Sequence, residues 1–325
     1  MKTAPGAAES QEMNTMDRED PLVVIVVLNW NRREDSAECL ESLRGLTYPN
    51  HKVLLVDNGS TDGSVAFLSE RFPEVTFIEN DRNLGFAAGN NVGIRRALEM
   101  GADWVLLLNN DTTVEADVVT KLVTATRDDR TIGVIGPQIN RYDRRDRIWF
   151  AAGRLCMLCG WSWHVGNHTR DRGQYTGLID EDYQTGAAMM LSRRVLEEVG
   201  PFDADYVSYC EDADLCLRVR SAGFRVVCCR DTRIYHKISR STGGGLTPHK
   251  AYRKILSGAR LYRRHAGKLR YYTTVATFNV AYATATVVLM MLRGKFGVAA
   301  AVCRGFRDLW RGRDRDRPDG DPNSE

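Results

Sequence analysis

The sequence predicts an α/β protein: a mostly parallel sheet flanked by helices, followed by a helical C-terminal extension. Three observations predict it. Apolar runs of strand length alternate with stretches of helical period, roughly every 20 to 30 residues, the pattern of βαβ units. The first run, "PLVVIVVLNWN" at residues 21–31, is continuously apolar rather than alternating, as a strand covered on both faces requires. Three runs then end abruptly in polar side chains, "LNWN", "VDNGS" and "LNNDT". Open sheets of this class bind ligands outside the carboxyl ends of their strands.

The elements follow in order. After the strand within 21–31, residues 36–44 place Cys39, Leu40 and Leu43 on one side of a helix. "HKVLLVDNGSTDGS" supplies a strand at 53–56 and a polar, Gly-rich turn. Residues 63–72 read as helix, 75–78 as a short strand and 90–100 as helix. Residues 104–108 form the next strand, 116–127 a helix and 132–136 another strand. Residues 143–183 are expected to be irregular, with Trp149, Phe150, Trp161, Trp163 and Tyr175 spread among five glycines. The chain therefore divides into a disordered polar tail at 1–20 without an apolar leader, a main unit at 21–245, a basic helical extension at 246–312 and a disordered tail at 313–325.

With 325 residues, 43% hydrophobic and 27% charged, the chain can bury a full core and carry an appendage. The net charge of +3 hides an asymmetry: residues 246–325 hold 16 Lys/Arg against 6 Asp/Glu, a net +10 that leaves −7 for the rest. A basic end on an acidic body points to an anionic surface, membrane or nucleic acid. Its charge-free stretch, described below, makes a membrane the expectation and nucleic acid not. The eight cysteines are scattered and predict reduced cytosolic thiols. Cys156 and Cys159 form one C-x-x-C, for which His164 and His168 can supply the second pair of a zinc site; free thiols are the simpler expectation. His51, His249 and His265 stand in no constellation and are expected at the surface.

The turn after the first strand is "NWNRREDS", so the G-x-G-x-x-G of a dinucleotide fold is absent, and no P-loop occurs anywhere. Both usual ways of cradling phosphate on backbone amides are thereby excluded. What remains is a carboxylate at a strand end holding a divalent cation, with the cation holding a diphosphate.

Seven stretches carry a resemblance: "VVIVVLNWNR", "VLLVDNGSTDGS", "NLGFAAGNNVGI", "WVLLLNNDT", "GAAMMLSRRVLEEVGPFD", "CEDADLCLRVRSAGFR" and "IYHKISRSTGG". In this order, over about residues 22–245, the chain resembles a family 2 glycosyltransferase of the GT-A nucleotide-diphospho-sugar transferase fold, rhamnosyltransferase-like branch. The resemblance implies roles. Asp57 reads the pyrimidine base of a dTDP- or UDP-sugar. Asp111, last in the D-x-D position, and His236 hold Mg²⁺ or Mn²⁺ against the diphosphate. Asn109 stands where the family's first Asp would be, so one carboxylate fewer faces the metal. Asp212 is the general base, with Glu211 beside it. Asn29, Asn31, Asn83, Gly85, Asn90, Asn109, Asn110, Lys237 and Arg240 fall on the donor side. Trp149, Trp161, Trp163 and Asp214 fall on the acceptor side, where indole faces stack on a sugar or fill the core under a long loop. Residues 239–245, "SRSTGGG", fold over the diphosphate or serve as a linker.

The chemistry asks for such a set. Departure of a diphosphate builds negative charge, which a cation stabilises. The attacking hydroxyl must lose a proton to a base facing the anomeric carbon. One base and no nucleophile imply direct displacement with inversion, through an oxocarbenium-like transition state. Two other classes remain: a nucleotide-sugar-binding pseudoenzyme, and a nucleotidyltransferase, which would need a phosphate loop that "NWNRREDS" lacks.

Residues 273–292 carry no charge, long enough to span a bilayer, with basic residues on both sides. The expectation is an interfacial helix on an anionic, cytoplasmic-face membrane beside a glycan or lipid-linked acceptor. A true span and a helical homodimer face are the alternatives.

Overall fold

The computed structural model describes residues 20–206, 208–238 and 246–311. The expected tails at 1–20 (Asp20 excepted) and 313–325, the loop at 239–245 and Arg240 lie outside the described residues. The first half is a run of strand–helix units: β1 (Val23–Asn29), α1 (Arg33–Arg44), β2 (His51–Asp57), α2 (Ser64–Arg71), β3 (Thr76–Glu79), α3 (Phe86–Glu99) and β4 (Trp104–Asn109). Then come β5 (Thr112–Val114), α4 (Val118–Arg127), β6 (Ile132–Arg141), β7 (Ile148–Phe150), β8 (Gly153–Cys156), β9 (Trp161–His164) and β10 (Leu178–Asp180). The sheet closes with β11 (Ala188–Ser192), α5 (Arg193–Glu198), α6 (Glu211–Ser221) and β12 (Arg225–His236).

The main sheet runs β10-β12-β6-β11-β4-β1-β2-β3, with β5 on β12 and β7 on β6. The β4-β1-β2-β3 half is parallel. Val23 to Val27 in β1 are fully buried, as their unbroken apolar run demands. β11 enters antiparallel between β4 and β6, so the sheet is mixed.

Two segments differ from the sequence reading. Helix α3 begins at Phe86, four residues before the expected 90, because its N-terminus carries no polar cap: Gly85, at φ 82°, leads straight into it. The glycines that look like loop are contact points. A Cβ at Gly89 would lie 2.8 Å from Leu28 Cδ1, and one at Gly93 2.3 Å from Val26 Cγ1, so α3 can lie directly on β1. The stretch 143–183 is more regular than expected: β7 extends the sheet, and β8 pairs with β9 as a hairpin from Gly153↔His164 to Cys156↔Trp161.

The C-terminal region is helical, as expected: α7 (Pro248–His265), α8 (Lys268–Arg270), a π-turn at Tyr271–Val275, α9 (Ala276–Leu292) and α10 (Phe296–Trp310). Thr247 caps α7, its hydroxyl accepting from Lys250 N at 3.3 Å, and Pro248 takes the first turn, where a missing N–H costs nothing. Leu261 and Tyr262 of α7 join the main core. A second, smaller core holds Ala251, Ala283, Met290, Val298, Ala299 and Val302 from α7, α9 and α10.

Candidate active site

Parallel register carries three polar strand tips to one edge: Asn29 lies beside Asp57, and Leu28 beside Asn109. Asn29, Asp57, Asn110 and Asp111 are buried, so their polar atoms need partners. Asn29 Nδ2 donates to Asp57 Oδ1 at 2.7 Å and Ser60 Oγ at 3.1 Å. Asn29 Oδ1 accepts from Ser36 Oγ at 2.7 Å and Asn110 Nδ2 at 3.2 Å. Ser60 N donates to Asp57 Oδ2 at 2.8 Å. Asn31, in the left-handed region at φ 51°, accepts from Thr61 N at 2.7 Å through its side chain.

Asn29 and Asn110, expected on the donor side, bond through their amides to neighbours and fix the three tips to one another. Asn83 and Asn90 are used similarly. Asn83 Oδ1 accepts from Asn58 Nδ2 and Gly85 N, both at 2.8 Å, and Asn90 Nδ2 donates to Phe86 O at 2.9 Å. Asn58, which sequence reasoning passed over inside "VDNGS", is the organiser of that loop: it also accepts from Asn80 Nδ2 and Leu84 N. Asn109 is half-buried, and its carbonyl accepts from Thr112 Oγ1 at 2.6 Å.

Asp111 meets His236 because β12 pairs with β5 at His236↔Thr112, and Lys237 N donates to Asp111 O at 2.9 Å. His236 Nε2 stands 3.0 Å from Asp111 Oδ1, close in distance but not aligned as a hydrogen bond. Asp111 Oδ1 and His236 Nδ1 are buried with no hydrogen-bond partner. Burial alone would raise the Asp111 carboxyl; the His236 ring beside it, with Lys237 beyond, holds it below the ordinary carboxylate range. A carboxylate oxygen and an imidazole nitrogen, buried and short of partners, fit a divalent cation. Among the described residues no third His, Cys, Asp or Glu joins them, so the donor's phosphates would supply further oxygens. Trp149 walls this pair, its ring 4.9 Å from His236 and 4.8 Å from His164.

Lys237 is not aimed at a phosphate. Its Nζ donates to Asp35 Oδ1 at 2.6 Å and Glu38 Oε2 at 2.5 Å, and Tyr142 donates to Glu38 as well. Burial lowers the Lys237 ammonium, but the two carboxylates more than offset this and raise it.

Asp212 lies in the first turn of α6, which follows two left-handed residues, Tyr209 at φ 70° and Cys210 at φ 66°. Neither is glycine, so each costs of the order of 1 kcal/mol or more, strain of the kind found at functional sites. Asp212 Oδ2 accepts from Gly186 N at 3.0 Å and Oδ1 from Ala213 N at 2.8 Å. One residue on, Ala187 O accepts from Asn109 N at 3.0 Å, so the backbone ties Asp212 to the same strand tip as Asp111. Burial raises the Asp212 carboxyl despite these N–H donors. Glu211 is sealed in, its Oε2 without a partner, and burial with the Asp212 charge pushes it well above the ordinary value. Asp212 is the half-exposed one of the pair.

The remaining acceptor-side residues are placed elsewhere. Asp214 is fully buried, facing Arg218 at 2.9 Å, Arg264 at 3.2 Å and His265 at 2.8 Å. Its partners join α6 to α7. His265 is thus a half-buried partner rather than a free surface residue. His164 is also inside, packed against Trp149 and Phe150, and burial lowers its ring to about 4. The possible zinc set of Cys156, Cys159, His164 and His168 does not assemble among the described residues. Trp161 and Trp163 stand outward on β9 at 48% and 45% exposure, and Trp161 meets Tyr282 of α9 edge-on at 5.1 Å.

Residues 24–200 match the family described as Glycosyl transferase family 2. An N-acetylglucosaminyl-diphospho-decaprenol L-rhamnosyltransferase of Mycobacterium tuberculosis is 28% identical over 262 residues, 75% of this chain and 85% of that protein. A low-salt glycan biosynthesis hexosyltransferase, Agl10 of Haloferax volcanii, is 23% identical over 65% of this chain and 66% of its own length. The mannosyltransferase PcManGT from Pyrobaculum calidifontis, solved with GDP-Man and Mn²⁺, shares the fold at TM-score 0.56 and 18% identity, covering 90% of this chain and 88% of that one. With its GT-A-like mixed sheet and the match over more than half its length, the chain belongs to glycosyltransferase family 2.

Proposed function

We propose that this glycosyltransferase moves a sugar, rhamnose favoured, from a dTDP- or UDP-linked donor to a hydroxyl of a glycan or lipid-linked acceptor, with inversion, in surface polysaccharide synthesis. The observation that carries the reading is the Asp111–His236 pair, buried, 3.0 Å apart and short of hydrogen-bond partners, at the sheet edge to which Asp212 is tied. Asp111 and His236 would hold Mg²⁺ or Mn²⁺, which when bound supplies positive charge for the leaving diphosphate. Asp57, fixed by Asn29 and Ser60, takes the base end of the donor. Asp212 takes the proton of the acceptor hydroxyl; its raised affinity for protons suits that task. Trp149 keeps water from the flank of His236. Rhamnose and a lipid-linked acceptor are favoured by the name of the mycobacterial relative.

Transfer assays with dTDP- and UDP-sugars, with Mn²⁺ or with EDTA, test this. Activity with the cation, lost in EDTA and in Asp111→Ala and His236→Ala, is expected. Undiminished transfer in EDTA would defeat the metal assignment.

Attachment to the cytoplasmic face of a membrane through the C-terminal helices belongs to the same proposal. The helical run Lys268–Leu292 has 25 residues, about 37 Å at 1.5 Å per residue, and is apolar enough to cross a bilayer. Phe278, Val280, Val288 and Leu292 are exposed on different sides of α9, which favours immersion over one-sided contact. Sedimentation with membranes is expected; release by alkaline carbonate marks peripheral attachment, and resistance marks a span.

A further inference from the structure

Away from the transfer site, the end of α7 and the start of α8 enclose a cleft of about 420 Å³ lined by Arg260, Arg263, Arg264, Lys268 and Tyr272. Four of the five lining side chains are cations. Arg260 pairs with Asp205 at 3.1 Å, and Arg264, itself exposed, with Asp203 at 2.8 Å and Asp214 at 3.2 Å, so carboxylates orient both guanidiniums. Arg263 and Lys268 at the rim are exposed, and Tyr272 adds a hydroxyl at 64% exposure. The helical run that leaves this cleft turns apolar side chains outward, from Leu269 at 80% exposure to Phe278 and Tyr282. A cationic cleft opening onto an uncovered apolar helix matches one chemistry: a phosphate head with a hydrocarbon tail.

We infer that the cleft is a headgroup site for an anionic phospholipid of the bilayer, whose acyl chains lie along α9. The inference rests on the membrane attachment proposed above and names the lipid chemistry it uses. Guanidinium forks bind phosphate oxygens two at a time, which a diffuse positive field does not require. Trp161, set against Tyr282, and Trp163 widen the same surface with rings suited to the headgroup layer.

Co-flotation of the full-length protein with phosphatidylcholine vesicles, with and without phosphatidylglycerol at one ionic strength, tests the site. Phosphatidylglycerol is expected to tighten binding. Arg263→Gln with Lys268→Gln should then weaken it about 30-fold, the scale of two surface cations at roughly 1 kcal/mol each. Lys52→Gln with Arg95→Gln, the same charge loss at exposed positions of the main sheet and α3, should change little. Arg263→Lys, which keeps the charge and loses the fork, should also weaken it. Equal losses in both double variants, or a silent Arg263→Lys, would leave only a diffuse field and sink the site. Release of the parent by inorganic phosphate at matched ionic strength would assign the cleft to free phosphate instead. No binding to either vesicle overturns membrane attachment together with the site, whereas equal binding to both vesicles, unmoved by the cleft variants, overturns the site alone.

Discussion

At the carboxyl edge of the sheet, Asn29, Asp57 and Asn110 are buried and bonded to one another, whereas along α9 Phe278, Tyr282 and Leu292 face outward at 55%, 57% and 80% exposure. The first region buries what water would solvate, and is stable only because almost every polar atom has a partner. Asp111 Oδ1, His236 Nδ1 and Glu211 Oε2 are among the exceptions, and these three belong to the candidate site. The second exposes what water disfavours, and its exception is the reverse: the small core that α9 and α10 make with α7. Unmet needs in each region are what the proposed ligands would satisfy, a cation and diphosphate at one and hydrocarbon at the other.

Helix α7 belongs to both regions, which gives the largest expected effect. Leu261 and Tyr262 sit in the main core, and Arg264 and His265 neutralise Asp214. Removing them leaves a buried charge short of partners, a cost of about 3 to 5 kcal/mol. A chain ended at residue 245, the boundary read from the sequence, should therefore lose its cooperative unfolding transition, while one ended at 267 should keep it. Equal stability of the two by urea titration would return α7 to the C-terminal region.

Asp212→Asn sharpens the polar side. It is nearly isosteric, so donor binding should persist while transfer falls by about 100-fold or more. Normal transfer by Asp212→Asn, with loss in Glu211→Gln, would move the base to the sealed carboxyl.

Much of this was legible in the sequence, for stated reasons. β1, β4 and residues 53–56 of β2 are unbroken apolar runs, and their polar ends announce a ligand edge. Asp111 and His236 lie 125 positions apart, and only their motifs joined them before β12 pairing did. What stayed hidden depends on side-chain direction. Nothing in "NWN" or "NND" says that Asn29 and Asn110 turn inward to each other, or that Lys237 reaches back to Asp35 and Glu38. The resemblance set Trp161 and Trp163 on the acceptor side; it could not show that the β8–β9 pairing brings Trp161 against Tyr282 of α9. The early start of α3 was masked because glycines used for close packing look like glycines used for turns.

A direct contrast of the two regions is the next largest effect. Asn29→Ala leaves Asp57, Ser36 and Asn110 short of a buried partner and should cost about 1 to 3 kcal/mol of stability. Phe278→Ser, at 55% exposure, should change stability in water by about 0.5 kcal/mol or less. Guanidinium titration of both variants checks this, and a Phe278→Ser cost as large as that of Asn29→Ala would mean α9 is covered by protein.

The smallest effect is a slope. Glu211 is held well above its ordinary value of 4.5, so between that pH and its folded value the native state binds more protons than the unfolded chain. Stability from this group is present below about pH 4.5 and is lost as pH rises, by at most about 1.4 kcal/mol per pH unit for one proton. Asp111 and Asp214 act oppositely: both are held below the ordinary 3.8, so their contribution is present above that value and lost on acidification. Glu211→Gln cannot ionise, so it should flatten the decline above pH 4.5, leaving the weaker slope of Asp212, and leave the acid-side loss unchanged. Urea midpoints from pH 2 to pH 8 measure both limbs, the acid one lying below pH 3.8. A Glu211→Gln curve parallel to the parent's on the upper limb would mean that Glu211 is already charged in the folded protein, and the sealed acid beside Asp212 would then have to be a solvated one.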